Sequence, residues 1–219
     1  MKRIFIFLFL ALNYLLSTIN YLHAKDYYSY FYDAQSIRGG SGKIINPSTQ
    51  TVAYRNWALG LHYFQLSLSY GLFPGEEIGI FFNLKELSEK KFDLKKISFH
   101  TKYQFLNWEE KHHSFACGWQ NDHFYLVSDK FFPSLSRWGL LLGLSILGEN
   151  KKIKIAPFST IYQTPRMSMF TFDYNAEENT YNLGWRFLLS PKVKFDLFLI
   201  DLGKIKDINN FVFGVTLSS

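Results

Sequence analysis

A few residues in this sequence have types and spacings that could do chemistry. His112, His113 and His123 could meet across a turn and share a metal ion. Their spacing matches no ligand pattern of zinc sites, and histidines on exposed loops are the commoner outcome. His100 or His62 could serve as a base beside a serine, yet no Gly-x-Ser-x-Gly elbow occurs to present one. Gly39-Gly40-Ser41-Gly42-Lys43 has the glycines of a phosphate loop without its Gly-x-x-x-x-Gly-Lys-Ser/Thr spacing, and reads as a flexible turn. The sequence therefore assigns no catalytic, cofactor-binding or metal residue. Cys117 stands alone, cannot form an internal disulfide, and sits among apolar neighbours as a small buried hydrophobe would.

A second group is electrostatic. Lys102, Lys152, Lys154, Arg186, Lys194 and Asp196 fall on the polar faces of alternating segments. If those segments are barrel strands, these side chains are candidate lumen-facing residues. They could pair with one another, sit near water at strand ends, or bias a narrow pore toward anions.

The elements that must position them alternate with period two, the mark of a strand with two unlike faces. Leu66, Leu68, Tyr70 and Leu72 share one face, with Ser67, Ser69 and Gly71 opposite. Pro74-Gly75 then supplies a turn, and Ile78, Ile80 and Phe82 resume the apolar face. The pattern recurs through Phe115, Cys117 and Trp119; through Leu140, Leu142 and Leu144; through Tyr181, Leu183, Trp185 and Phe187; and through Phe211, Phe213 and Val215. About eleven strands result on this alternation criterion. A face shift near Phe64 suggests a bulge in one long strand over residues 57–72, and a similar shift lies between Met169 and Phe170. Residues 129–137 and 202–209 read as the longest loops, and helix patterns are scarce beyond a short candidate at residues 85–91.

The chain opens Met1-Lys2-Arg3, followed by the apolar run Ile4-Phe5-Ile6-Phe7-Leu8-Phe9-Leu10. This is the pattern of a secretory signal peptide, with cleavage after Ala24; the alternative is an uncleaved N-terminal anchor. The expected organisation is a signal peptide over residues 1–24, a Gly/Ser-containing lead-in over 25–50, and a β-barrel over 51–219. The formal charge of +6 includes Lys2 and Arg3, so the exported chain is only modestly basic. No Lys/Arg cluster with interleaved aromatics argues for nucleic-acid binding.

Alternation alone fits a soluble β-sandwich or a lipocalin-like barrel as well. The second face decides between them. A solvated face carries charge along its length, whereas here it is mostly Gly, Ser, Ala, Asn and Thr, which suits a narrow, packed lumen. The other face is bulky and almost uncharged, as a lipid-facing band must be. Aromatics are 19% of the residues and gather near strand ends, at Tyr70, Phe73, Phe105, Trp108, Phe131, Phe132, Tyr174 and Phe211, as interfacial girdles do.

Residues 39–84 carry a resemblance. They contain Gly39-Gly40-Ser41-Gly42-Lys43-Ile44-Ile45-Asn46-Pro47-Ser48-Thr49, then Leu59-Gly60-Leu61-His62, then Tyr70-Gly71-Leu72-Phe73 and Glu77-Ile78-Gly79-Ile80. This order is similar to bacterial outer-membrane proteins of the YjbH-like type, with their Gly-rich G-L-I-N-x-P-[ST] segment, L-G-x-H and Y-G-L-x-x-x-x-E-[IV]-G. The match covers about a quarter of the exported chain on that motif count. The resemblance implies an envelope role connected with export. One departure is the ending Leu217-Ser218-Ser219, where many outer-membrane barrels place an aromatic residue.

The combined expectation is an all-β, antiparallel transmembrane β-barrel. Even strand numbers in bacterial barrels suggest about 10–12 strands, with residues 27–32 able to supply a twelfth. It would lie in a Gram-negative outer membrane, porin-like in architecture, with a structural or small-solute/export-related role and no catalysis or cofactor. Its partners would be outer-membrane lipid and the insertion machinery, not nucleic acid, and the oligomeric state is left open. The alternative is a soluble periplasmic β-domain that binds an apolar ligand or an envelope partner.

Overall fold

The structure, a computed structural model, describes residues 28–87, 96–120, 123–149, 152–204 and 210–219. The leader assigned to residues 1–24 and most of the helix candidate at 85–91 lie outside the described residues. Twelve antiparallel strands form one closed barrel. They are β1 (Trp57–His62), β2 (Gln65–Phe73), β3 (Glu76–Asn83), β4 (Ser98–Trp108), β5 (His113–Gln120), β6 (His123–Phe132), β7 (Trp138–Glu149), β8 (Lys152–Gln163), β9 (Ser168–Asn175), β10 (Thr180–Ser190), β11 (Val193–Leu199) and β12 (Phe211–Ser218). Each pairs with its sequence neighbour, and β1 closes the ring on β12 through pairs running from Ala58↔Ser218 to His62↔Gly214. No helix among the described residues is long and apolar enough to cross a membrane.

The twelfth strand does not come from residues 27–32: Tyr28–Phe31 is a 3-10 turn. It comes from the segment expected to be one bulged strand over residues 57–72. His62 pairs with Gln65, so Tyr63 and Phe64 are the two residues of a tight hairpin turn, with Tyr63 at φ 57°. A bulky aromatic pair gives none of the Asn-Gly signal that normally announces such a turn. The expected shift at Met169 is also absent. Register between β9 and β10 is continuous, Met169 points inward against Arg186, and Phe170 points outward to stack on Trp185 at 5.0 Å. The loop expected over 129–137 is shorter, because β6 continues to Phe132.

The two faces are sharply unlike. Outward residues include Leu68, Phe99, Leu142, Leu144, Ile155, Trp119 and Phe213, all exposed; Leu142 is 53% and Phe213 56% exposed. Inward residues are small, polar or charged in most of the ring. Elsewhere aromatics fill the interior against glycines on the adjoining strand: Phe158 lies against Gly143, where a β-carbon would sit 2.1 Å from its ring, and His62 lies against Gly214 in the same manner. Three buried apolar clusters line the inside: Ala116, Tyr125, Val127, Leu141 and Phe158; Phe31, Phe131, Tyr162, Met169 and Leu188; and Ile44, Ile45, Phe198 and Val212. Cys117 is on the outward face of β5, half-buried, paired with Tyr103 and Leu126, rather than in the core.

The clusters include residues from before β1 because the segment from Phe31 to Val52 lies inside the barrel. The lead-in expected over 25–50 runs on to Asn56, and its middle is buried: Ala34, Gln35, Ile44, Asn46, Thr49 and Val52 are each 0% exposed. It enters near the mouth that holds Trp57 and Ser218, reaches the opposite mouth at Arg38, and returns. Short internal bonds, Gly42 N–H to Ala34 O at 2.9 Å and Lys43 N–H to Asn46 O at 3.0 Å, fold it back on itself. Gly39 and Gly40, at φ 79° and 71°, make the reversal.

Candidate functional site

The plugged interior concentrates the molecule's buried ionisable groups. A segment without regular structure leaves backbone donors and acceptors that must be satisfied inside the barrel. Inward side chains of the wall supply the partners. On β9, Asp173 Oδ2 accepts the backbone N–H groups of Ile44, Ile45 and Asn46 at 3.1, 3.1 and 3.4 Å. On β10, Arg186 donates to the carbonyls of Gln35 (2.7 Å), Gly42 (3.0 Å) and Lys43 (3.4 Å). On β3, Glu77 accepts Ser41 N–H at 2.8 Å, Ser41 Oγ–H at 2.6 Å and Val52 N–H at 2.9 Å. Asn46 spans β8 and β9 by donating to Ser159 O and Thr160 Oγ1, both at 3.1 Å, and to Tyr174 O at 3.3 Å. Thr49 and Ser114 Oγ meet at 2.6 Å, and Gln35 N–H reaches Thr216 Oγ1 at 3.3 Å. At the far mouth Arg38 pairs with Glu178.

Glu77, Lys102, Arg186, Lys194 and Asp196 are also paired with opposite charges, as buried charges must be. Arg186 and His62 both engage Asp196; His62 Nε2 is 2.6 Å from Asp196 Oδ2, and the Arg186 Nη2 bond to the same oxygen is 3.2 Å. Lys102 lies 3.8 Å from Glu77 and donates to Ser41 O at 2.7 Å and to Ser41 Oγ. Lys194 donates to Asp33 at 2.6 Å and Ser218 Oγ at 2.7 Å. Lys43 places its ammonium 3.6 Å from the centre of the Tyr162 ring.

Of the residues expected to face a lumen, Lys102, Arg186, Lys194 and Asp196 are thus buried inside, and all four contact the plug or one another. Lys154 shares the inward parity of Ala156 and Phe158 but is exposed, beyond the packed interior at the strand's start. The side chain of Lys152 lies outside the described residues. Sequence reasoning missed Glu77, Asp173, His62 and His100 as members of the network. Alternation placed Glu77 on the polar face of its strand, but nothing local indicated its partners, which lie 23 to 36 residues away.

The histidine chemistry considered from sequence finds a specific geometry. His100 Nε2 lies 3.2 Å from Ser69 Oγ and 3.1 Å from Glu77 Oε1. Both contacts fall on the same ring nitrogen, and Nδ1 has no hydrogen-bond partner among the described residues. A serine–histidine–acid relay needs the acid on one nitrogen and the serine on the other, so this cluster holds the plug and is not wired as a triad. His112 and His113 lie at one end of β5 and His123 beyond the other; eight residues of strand separate them by about 25 Å. Among the described residues no three His, Cys, Asp or Glu side chains converge as a metal cage.

Between plug and wall, at the mouth near Trp57 and Ser218, a polar cavity of about 220 Å³ is bounded by Tyr32, Gln50, Asn107, Ser114, Asp129 and Phe131. No known protein-family profile matches the chain, and no curated protein matches it.

Proposed function

We propose that this chain is an outer-membrane β-barrel closed by its own N-terminal segment, with a structural or export-related role in the cell envelope and no catalysis in its interior. The observation that carries the reading is the inside-out distribution of side chains: exposed Leu, Ile, Phe and Trp on the outer wall, with Glu77, Lys102, Asp173, Arg186, Lys194 and Asp196 buried within. A soluble barrel places these sets the other way round. Twelve-residue strands such as β7 and β8 are about 40 Å long, and a tilt of about 40° makes them about 30 Å tall, enough for an apolar band of about 25 Å. No connection between strands at the mouth with Trp57 and Ser218 exceeds five residues, whereas residues 84–97 and 200–210 make long connections at the other, so the Trp57/Ser218 mouth is the periplasmic end in this reading. The similarity of residues 39–84 to YjbH-like proteins supports the same envelope setting, and a packed lumen favours a plugged barrel over an open porin.

Fractionation of the expressed full chain tests it, with gels of heated and unheated samples. Recovery in the outer membrane, dependence on detergent and a heat-induced mobility shift are expected. A periplasmic protein soluble without detergent would overturn the reading and favour the soluble β-domain.

A further inference from the structure

The outer wall is not uniform. Across β4 to β9 it is indented by a groove of about 610 Å³, bordered by Phe105, Phe115, Leu126, Leu142, Leu144 and Tyr174. That volume lies within the roughly 300–1,000 Å³ of small-ligand sites. The indentation has a sequence cause: Ser128 and Ser159, both paired with the projecting Leu142, are short residues in an otherwise bulky row, and Pro157 next to them is compact.

A separate feature lies at one end of the groove. Two residues along β6 from Ser128 is Lys130, and two along β5 from Phe115 is its pair partner His113. His113 Nε2 is 2.9 Å from Ser128 Oγ, so the ring joins the groove floor to the rim. Lys130 donates to Lys111 O in the adjoining turn, so its ammonium lies against the backbone of the turn that carries Lys111. Trp108 packs against His113 at 6.0 Å and carries the Lys111 ammonium 5.2 Å from its ring centre. Glu109 of the same turn borders the interior cavity instead, and Glu110 is exposed at the tip. An apolar trough therefore leads to two cations, one on the Phe132 ring and one on the ring of Trp108, a residue type that favours a membrane–water boundary.

Charge and shape together choose the occupant. We infer that this groove binds one anionic glycerophospholipid, its phosphate at Lys111 and Lys130 and an acyl chain along Phe115, Leu126, Leu142 and Leu144. An ammonium that donates one of its three hydrogens to a carbonyl keeps two for phosphate oxygens. The lipid would come from the leaflet facing the Trp57/Ser218 mouth. The inference rests on the membrane reading above.

Native mass spectrometry of the detergent-solubilised full chain, titrated with dioleoyl-phosphatidylglycerol or dioleoyl-phosphatidylcholine, tests it. One phosphatidylglycerol is expected to bind about tenfold more tightly than phosphatidylcholine, a difference of about 1.4 kcal/mol. The double substitution Lys111→Gln with Lys130→Gln should remove that preference, and Ser159→Trp should weaken both lipids by filling the trough. The heat-induced mobility shift controls for folding in each variant. Equal binding of the two lipids by the unsubstituted chain, or a preference untouched by the lysine pair, overturns the inference while the membrane reading stands. A dimer that Ser159→Trp disperses, without bound lipid, overturns it in favour of a second copy of the chain. Loss of the mobility shift in the unsubstituted chain would overturn the membrane reading and the lipid site with it.

Discussion

Removing one carboxylate should loosen the plug without opening the barrel. Asp173→Ala strands the N–H groups of Ile44, Ile45 and Asn46, which now share Oδ2. The 3.4 Å bond is weak, so two buried N–H groups lose a good acceptor, together about 2–6 kcal/mol. Part of this is offset because a buried carboxyl group no longer has to be desolvated. A net penalty of about 3 kcal/mol shifts the equilibrium between seated and displaced plug by roughly 150-fold. Asp173→Asn keeps one oxygen acceptor and should cost about half as much. Amide hydrogen exchange on the full chain in detergent reads the effect residue by residue. Protection of Ile44 to Asn46 should fall by about two orders of magnitude, while amides of β7 and β8 stay protected. Unchanged exchange at these three amides would refute the reasoning. So would an equal loss in β7 and β8, which would make plug and wall one cooperative unit.

Asp196→Ala leaves the Arg186 guanidinium buried without its carboxylate and should destabilise the folded chain by about 3–5 kcal/mol, read as a lowered temperature for the heat-induced mobility shift. Gly143→Val drives a side chain into the Phe158 ring and should cost about 1–3 kcal/mol. Adding Phe158→Leu should recover part of that, so denaturant midpoints of the two single variants and the double variant should be non-additive. Leu142→Arg on the outer wall should cost about 2–4 kcal/mol when the chain refolds into bilayers, and little in a polar-headed detergent.

The barrel was legible because each strand writes its two faces into its own residues. Leu66, Leu68 and Tyr70 against Ser67 and Ser69 need no distant information, and the same is true around the ring. The missing strand was hidden where the local rule is broken: Tyr63-Phe64 continues an apolar run through a turn that sequence usually marks with Asn or Gly. The plug was illegible for a different reason. Residues 33–56 have no period, and their partners lie far away in the chain; Arg186 is 151 residues from Gln35. The phosphate-loop look of Gly39 to Lys43 was informative in an unexpected sense. The amides just after it do cradle an oxygen acceptor, but that acceptor is the carboxyl of Asp173 in the same chain. The polar-face charges were visible singly, and only closure of the ring decided which would be neighbours.

Closure also carries a kinetic consequence. The β1–β12 seam joins residues 58–62 to 214–218, the most distant strand pairing in the fold, over only five residue pairs. β7 and β8, by contrast, pair along their whole lengths. Contacts between distant parts of a chain form late, because the intervening loop must be closed before they contribute. Until β12 arrives, β1 presents a bare edge able to recruit a strand from another molecule, and water still reaches the ion pairs meant to be dry. Asp196 on β11 and His62 on β1 can meet only as that edge is sealed. The last zip of the ring therefore both ends the risk of mispairing and sets the interior charge network, so a defect in β12 should appear first as aggregation during assembly rather than as a leaky finished barrel.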